Sequence, residues 1–500
     1  WKESLKRTEA ATAPAVAAAA RKWLSDGDYT LTVKPFGDLK TGPGVDRSKV
    51  PVPGSVAEAK FPEFKKATLS NGVKVYLAER HDTPVVSMLL SMDTGYGADY
   101  AKLKPGVQGL TGNLLDEGTT SRTGLQIADQ LDRMGSSVVS GGGSQYSTVS
   151  MEALTPTLDD TMAIWADIVR NPSFTDADFK RVQAQTVQGL RQADRDPNAI
   201  ANRVMGKALW GKDHPYGIYA TPESVASITR QDVVDFYKTW YGPTNARIII
   251  VGDTTLAAIT PKLEAALKGW GQVNAKTITI PQANRPAKPV VYLVDRPGSV
   301  QSVILVGEAT PPRVVAEDQK MSAFNSLFGG AFTSRINMNL REQHGWSYGA
   351  RTSMSRSHNP GQFILQAPVQ TDATKNAMAE IRKELTDIVG KRPATAKELD
   401  ENAKATAIMG LASRWEAGAS VQGALYDMAL ENLPDDYWNT YADKYRAVTV
   451  ADMAATAKQV IPDQNFVWVV VGDRAKIEKG VRELNIGEVR IVDANGNPAQ

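Results

Sequence analysis

Two runs of β-branched residues dominate the hydrophobic pattern of the chain. They are Ala246 to Asp253 (Ala-Arg-Ile-Ile-Ile-Val-Gly-Asp) and Asn465 to Asp473 (Asn-Phe-Val-Trp-Val-Val-Val-Gly-Asp). Each comes after a helical segment and a turn with a proline, Pro243 or Pro462. Continuous apolar runs bounded by turn residues predict buried strands. A weaker copy of the same helix–turn–strand unit opens the chain: an Ala-rich helix to Lys22, a turn over Ser25-Asp26-Gly27-Asp28, and a strand from Tyr29 to Val33. That copy lacks the rest of its domain, so residues 1–36 are expected to be the tail of a preceding homologous module.

Prolines and glycines divide the remainder of the chain. Pro35, Pro43, Pro51, Pro53 and Pro62, with Gly37, Gly42, Gly44 and Gly54, predict an extended, surface-hugging linker over 37–61. A second proline-bearing stretch, 274–288, separates a body at 62–273 from one at 289–490, and 491–500 is left as a tail. Each body opens with strands (Ala67 to Asp93; Pro289 to Gly307), continues through helices, and closes on a Val-Gly-Asp strand. Strands and long helices without strict alternation predict an α+β class, with two homologous sandwich domains of one sheet plus packed helices. The Gly141-Gly142-Gly143 run has no Lys-Ser/Thr after it and predicts a bulge or turn between strands.

Composition narrows the chemistry. The 57 basic and 55 acidic residues give +2, which argues for neither nucleic acid nor a charged membrane surface as partner. No stretch reaches the roughly 18–20 continuous apolar residues of a membrane span. The absence of cysteine excludes disulfides, thiol catalysis and cysteine metal sites, and leaves the redox compartment open. The chain starts at Trp1, which is expected of a processed or trimmed product. A periplasmic or secreted location is expected, with the cytoplasm as alternative. Four histidines are present. His214, beside Pro215 and Tyr216, is expected to be structural; His81 and His358 are expected to be solvated.

Two stretches carry candidate chemistry. The first is Gly106-Val-Gln-Gly109-Leu-Thr-Gly112-Asn113-Leu-Leu-Asp116-Glu117-Gly118-Thr119. Its two interior glycines each cost about 1 kcal/mol in a helix relative to alanine, so they signal close packing or a loss of bulk. Asp116 and Glu117 are expected to be a solvated helix end. Further on, Thr175 with Asp176 and Asp178 predicts a capped helix on which Phe179, Val182, Thr186 and Leu190 form one face. The second stretch has Met321, Phe324 and Phe328 at helical spacing, a break at Gly329-Gly330-Ala331-Phe332-Thr333-Ser334-Arg335, and then Ile336 and Leu340 resuming the period. Gly345 is placed as a helix C-terminal cap, and Tyr348 is expected to open a strand running to about Ser355.

The run Gly-Gly-x-Phe-x-Ser-Arg, continued by Leu340-Arg341-Glu-x-x-Gly345-x-x-Tyr348, resembles the second signature of the pitrilysin, insulysin and mitochondrial processing peptidase family of zinc metallopeptidases. Asp194-Arg-Asp-Pro197, His214-Pro-Tyr-Gly217 and Asn245 to Asp253 extend the resemblance over most of 62–490. It implies that Arg341 and Tyr348 are the catalytic and substrate-binding clamp: they donate to substrate carbonyls, Tyr348 stabilises the oxyanion, and His344, Gly329 and Gly330 lie beside the substrate. The family's metal helix reads Gly-x-x-His-x-x-Glu-His. Laid on this chain, its histidines fall on Gly109 and Asn113, its glutamate on Gly112, and its third ligand, a glutamate further on, at Gly189. The resemblance therefore implies a non-zinc half of a clamshell that holds no metal of its own. Its partner would be a homologous subunit or N-terminal half carrying His-x-x-Glu-His and zinc, with peptides as substrates. A silent structural or assembly subunit is the alternative.

Overall fold

The computed structural model describes residues 2–24, 27, 30–32, 59–94, 103–143, 145–271, 279–283 and 286–499. The chain divides into two units, 1–56 and 57–500. In the first, helices Lys2–Glu9 and Ala13–Leu24 bury no residue. The expected Tyr29–Val33 strand is not formed at its described residues: Thr30, Leu31 and Thr32 are exposed and unpaired with a ladder. A strand requires a neighbour to take its backbone hydrogen bonds, and the described part of this unit offers none. The expected turn at 25–28 (save Gly27) and the expected linker over 37–58 lie outside the described residues.

The second unit is built on two six-stranded sheets. Strands β1 (Lys65–Thr68), β2 (Lys74–Glu79), β3 (Val85–Asp93), β4 (Ser137–Gly142), β5 (Tyr146–Leu154) and β6 (Ala246–Gly252) lie in the order β1-β2-β6-β3-β5-β4. Strands β7 (Val290–Asp295), β8 (Gln301–Thr310), β9 (Arg351–Met354), β10 (Gly361–Gln370), β11 (Val467–Gly472) and β12 (Glu488–Val492) lie in the order β12-β7-β11-β8-β10-β9. Five strands correspond one for one. The β2–β6 and β7–β11 pairs are parallel, and the next three neighbours in each sheet run antiparallel. The expected duplication is thus realised in topology. The sheets differ at one edge: β1 is antiparallel to β2, whereas β12 is parallel to β7.

The two Val-Gly-Asp strands are central, and period-two alternation explains their unbroken hydrophobicity. In β6, Ile248 and Ile250 face a core shared with Trp165, Phe236 and Leu263 of the first body's own helices. Ile249 and Val251 face the other way, into a core that includes Val421, Leu425 and Met428. Those three lie on helix Gly418–Glu431, which comes from the second body. The converse holds for β11. Trp468 and Val470 face the second body's own core, while Val467, Val469 and Val471 meet Ile200, Val204, Met205 and Leu209 of helix Pro197–Trp210, from the first body. Each sheet is therefore covered on one face by a helix belonging to the other body. Gly307 in β8 permits the approach, since a Cβ there would stand 2.9 Å from Met205 Sδ.

Polar contacts fasten the exchange. Gln422 donates to the Ile249 carbonyl at 3.3 Å, and Arg80 Nη1 donates to the Glu416 carbonyl at 2.8 Å. Phe61 is buried: its ring meets Trp415 edge-on at 4.9 Å and its amide donates to Asn439 Oδ1 at 3.1 Å. The stretch expected to hug the surface thus ends inside the second body's core.

A second close approach concerns backbone alone. Helix Val107–Gly112 lies against β4, the edge strand of its sheet. A Cβ on Gly112 would stand 2.2 Å from Gly142 N, and one on Gly142 would stand 2.5 Å from the Gln108 carbonyl oxygen. Ser140 Oγ donates to the Gly112 carbonyl at 2.7 Å. Gly141 and Gly142 are the last residues of β4, paired with Thr148 and Ser147, so the glycine run is a strand end leading into a turn. By contrast, Gly189, inside helix Asp176–Ala193, is exposed and its Cβ would meet nothing within 4 Å.

Ile200→Ala is expected to cost about 2–5 kcal/mol and to shift one cooperative calorimetric transition covering both bodies; two transitions, only one of them displaced, would contradict the shared cores. In urea unfolding, Gly189→Ala is expected to gain about 1 kcal/mol and Gly112→Ala to lose about 1–3 kcal/mol. Equal effects of the two substitutions would refute the backbone contact.

Candidate functional site

The residues laid on the metal frame do not form a metal site. Gly109 and Gly112 have no side-chain donor atoms, and the backbone of β4 occupies the space a side chain at Gly112 would need. Asn113 caps the short helix and is exposed; Gly189 lies on an exposed helical face. Among the described residues, no three His, Cys, Asp or Glu side chains converge to hold a metal ion. The donor set does not fit zinc, and the packing leaves no room for the frame's glutamate at position 112.

The neighbouring carboxylates, expected to be solvated, are engaged. Asp116 accepts from the Ser140 amide at 3.0 Å, and burial raises its pKa above the ordinary carboxylate value. Glu117 is paired with Arg181 of the helix that Thr175 caps. Both side chains fasten the helix end to its surroundings, which a reading of local polarity does not reveal.

The second stretch is folded around two wide helical turns, Ser326–Gly330 and Met338–Gln343, each closed by a bond to the fifth residue back: Ala331 N to Ser326 O at 3.1 Å, and His344 N to Asn339 O at 3.2 Å. Gly345 takes the left-handed backbone (φ +66°) expected of a C-terminal cap. Its amide donates to the Arg341 carbonyl and that of Trp346 to the Leu340 carbonyl, both at 3.0 Å. The next strand opens later than expected, at Arg351. Tyr348 stands instead in an irregular turn, because Ser347 Oγ bonds the Gly349 amide at 3.0 Å and takes the chain out of extended geometry.

The turn is irregular and firmly held. Gln370 N donates to the Trp346 carbonyl at 3.0 Å, and Asn337 Oδ1 accepts from Ala350 N at 3.2 Å and from Arg351 Nη1 at 2.7 Å. On the helix side, Asn339 Nδ2 donates to Glu380 at 3.0 Å and to the buried Glu384 at 2.9 Å. Burial alone would raise the pKa of Glu380; hydrogen bonds from Asn339 and Lys383 outweigh it and hold the group below the ordinary range. Tyr348 projects from this frame 89% exposed. Arg341, in the last helical turn, has its Nε 3.2 Å from Glu342 Oε1 and its guanidinium over the ring of Phe332.

The other expected site residues divide. Gly329 is buried, and its Cβ would collide with Thr352 of β9; a Cβ on Gly330 would crowd Asn325. Their smallness lets the first wide turn seat against the sheet. His344 stacks on Trp346 with centroids 4.0 Å apart.

His214 is structural, as expected: buried, stacked on Trp210, accepting from the Tyr216 amide at 3.0 Å, its Nε2 2.8 Å from the Pro281 carbonyl. His81 and His358 are half-exposed rather than free in solvent. His81 lies 2.7 Å from Asp253, and this hydrogen bond lowers the pKa of the aspartate. His358 lies 3.3 Å from the buried carboxylate of Glu431, and that contact raises the pKa of the imidazole. Both partners are distant in sequence. A cleft of about 370 Å³ is lined by Gln145, Trp210, Tyr216, Tyr219, Ser357 and Gln362, with no carboxylate, imidazole or ammonium group among its lining residues.

Residues 74–221 match the insulinase family (peptidase family M16), and residues 227–406, which contain Arg341 and Tyr348, match the peptidase M16 inactive domain. An uncharacterized zinc protease of Rickettsia felis is 22% identical over 334 residues, covering 66% of this chain and 79% of that protein. A Helicobacter pylori protein named as a non-peptidase homolog, YmxG, is 20% identical over 409 residues, 81% of this chain and 93% of that one. Among solved structures, an M16 inactive domain from Pseudomonas fluorescens superposes with a TM-score of 0.73 at 24% identity, covering 82% of this chain and 98% of that one. The periplasmic protease PqqL of Escherichia coli gives 0.69 at 14% identity, covering 94% of this chain and 51% of PqqL. Two matched family regions and a duplicated sheet topology agree, and the chain belongs to the M16, pitrilysin-like family of zinc peptidases, with residues 227–406 matching that family's inactive domain.

Proposed function

We propose that this chain is the non-zinc subunit, or C-terminal half, of a zinc metalloendopeptidase, and that Arg341 and Tyr348 complete an active site whose metal belongs to a partner carrying His-x-x-Glu-His. The observation that carries this reading is Tyr348: an aromatic ring 89% exposed on a backbone pinned from both sides. A tyrosine used for packing is buried. One held rigidly outward is preorganised for something that arrives from outside, and its hydroxyl is a donor for developing negative charge. Arg341 adds a planar fork of donors suited to substrate carbonyls.

In this reading the partner supplies the metal and its chemistry, while this chain grips and orients the peptide. Gly329 and Gly330 serve indirectly, by seating the turn that precedes the clamp, and His344 borders the substrate through its stack on Trp346. The match to about half of PqqL supports a half-molecule, with residues 1–36 as the tail of a preceding domain, 62–273 and 289–490 as the two homologous domains, and the periplasm as location. A second reading, a silent assembly subunit, is favoured by the Helicobacter pylori non-peptidase homolog. Copurification with a partner carrying His-x-x-Glu-His, then an assay of the mixture on unfolded polypeptide, separates the two.

The isolated chain is expected to hold no stoichiometric zinc and to leave unfolded polypeptide uncut; elemental analysis finding one tightly bound zinc per chain would overturn this. In the reconstituted complex, Tyr348→Phe is expected to lower kcat by about a hundredfold, the usual effect of losing one oxyanion donor, with assembly unchanged. Wild-type turnover in that variant would remove Tyr348 from the catalytic machinery.

A further inference from the structure

We infer that Phe332 is a positioning residue for Arg341, holding its guanidinium on the ring face so that the fork is aligned before substrate arrives. The inference rests on the reading of Arg341 as a substrate clamp. Arg341 Cζ lies 4.8 Å from the Phe332 ring centroid, within the range of a cation–π contact. Among the described residues Arg341 donates no hydrogen bond to a protein acceptor; its other close neighbour is the adjacent Glu342 carboxylate. The donors that would meet a substrate carbonyl are therefore uncommitted, and the ring and Glu342 are what order the side chain.

Phe332 itself is 51% exposed, so its ring stands at the surface beside the arginine. Its backbone is fixed, because Asn337 Nδ2 donates to the Phe332 carbonyl at 2.7 Å. Asn337 Oδ1 accepts from Ala350 and Arg351 just after Tyr348. One asparagine thus ties the residue under the arginine to the segment that carries the tyrosine. An arginine held in its binding rotamer loses less conformational freedom on contact with substrate than one moving in solvent, and so binds it more tightly. Without the ring, Glu342 is the remaining attraction and draws the guanidinium away from the peptide.

The test uses the reconstituted complex with fluorescein-labelled β-casein. Phe332→Leu is expected to raise KM roughly two- to fivefold, the span of an exposed cation–π contact, with kcat nearly unchanged, and Phe332→Tyr to restore KM. In an Arg341→Ala background Phe332→Leu is expected to add nothing. In the chain alone, the Arg341 Nε–H resonance, assigned by its loss in Arg341→Lys, is expected to lose its ring-current shift in Phe332→Leu and keep it in Phe332→Tyr. Arg341→Ala with wild-type kinetics would remove the clamp and this inference together. A strong Arg341→Ala effect beside a wild-type KM in Phe332→Leu, or an equal Phe332→Leu penalty in both backgrounds, would overturn the positioning role and leave the clamp standing.

Discussion

The burial of β6 and β11 on both faces is the constraint on which the rest of the structure depends. Each strand turns alternate residues toward a helix donated by the other body: Ile249 and Val251 toward Gly418–Glu431, and Val467, Val469 and Val471 toward Pro197–Trp210. Neither body completes its core alone, so the helices are mutual lids rather than an interface between finished domains. The proposed clamp inherits this rigidity. Its frame hangs on β10 through Gln370 and on helix Thr374–Ile388 through Asn339, and both rest on the second sheet.

Metal frame and clamp resolve similar small residues in opposite ways. At Gly112 and Gly142 the missing side chains let backbone touch backbone, and the helix is drawn onto the edge of the sheet. At Gly329 the same smallness seats a wide turn against Thr352, and the chain beyond it carries Phe332, Arg341 and Tyr348 outward. Glycine closes one surface and helps to open the other. The difference lies in whether the residues beyond each glycine find partners inside the protein.

Features set by local periodicity and capping were legible in the sequence. The Val-Gly-Asp strands, the Thr175 cap, the helical spacing through Phe324 and Leu340, and the left-handed Gly345 all arise from patterns a few residues long. Alternation in β6 showed that both faces are buried but not by what, because the covering helix lies far along the chain. The same holds for Glu431 beside His358 and Asp253 beside His81. Strand β12, with Glu488 and Arg490 among its five residues, has too little apolar pattern to stand out. At the clamp, residue identities pointed to Arg341 and Tyr348, but the turn at Ser347 that delays the strand depends on a side-chain bond that propensity does not encode. The glycines of the metal frame announced lost chemistry; only the fold showed that the space had also been filled.

The seam between Gly112 and Gly142 also makes a difference to history. The glutamate of the family's metal helix, placed at position 112, needs room that β4 occupies, and β4 is held there by its pairing with β5 and by the Ser140–Gly112 bond. Any route back to the full frame must therefore move a strand before that glutamate can be accommodated. A side chain at 112 meets strain with nothing gained in return, whereas one at 189 meets open space. The seam works as a ratchet: by closing the space that a side chain at position 112 would need, it makes the loss there harder to reverse than the losses at 113 and 189, where the surroundings are open.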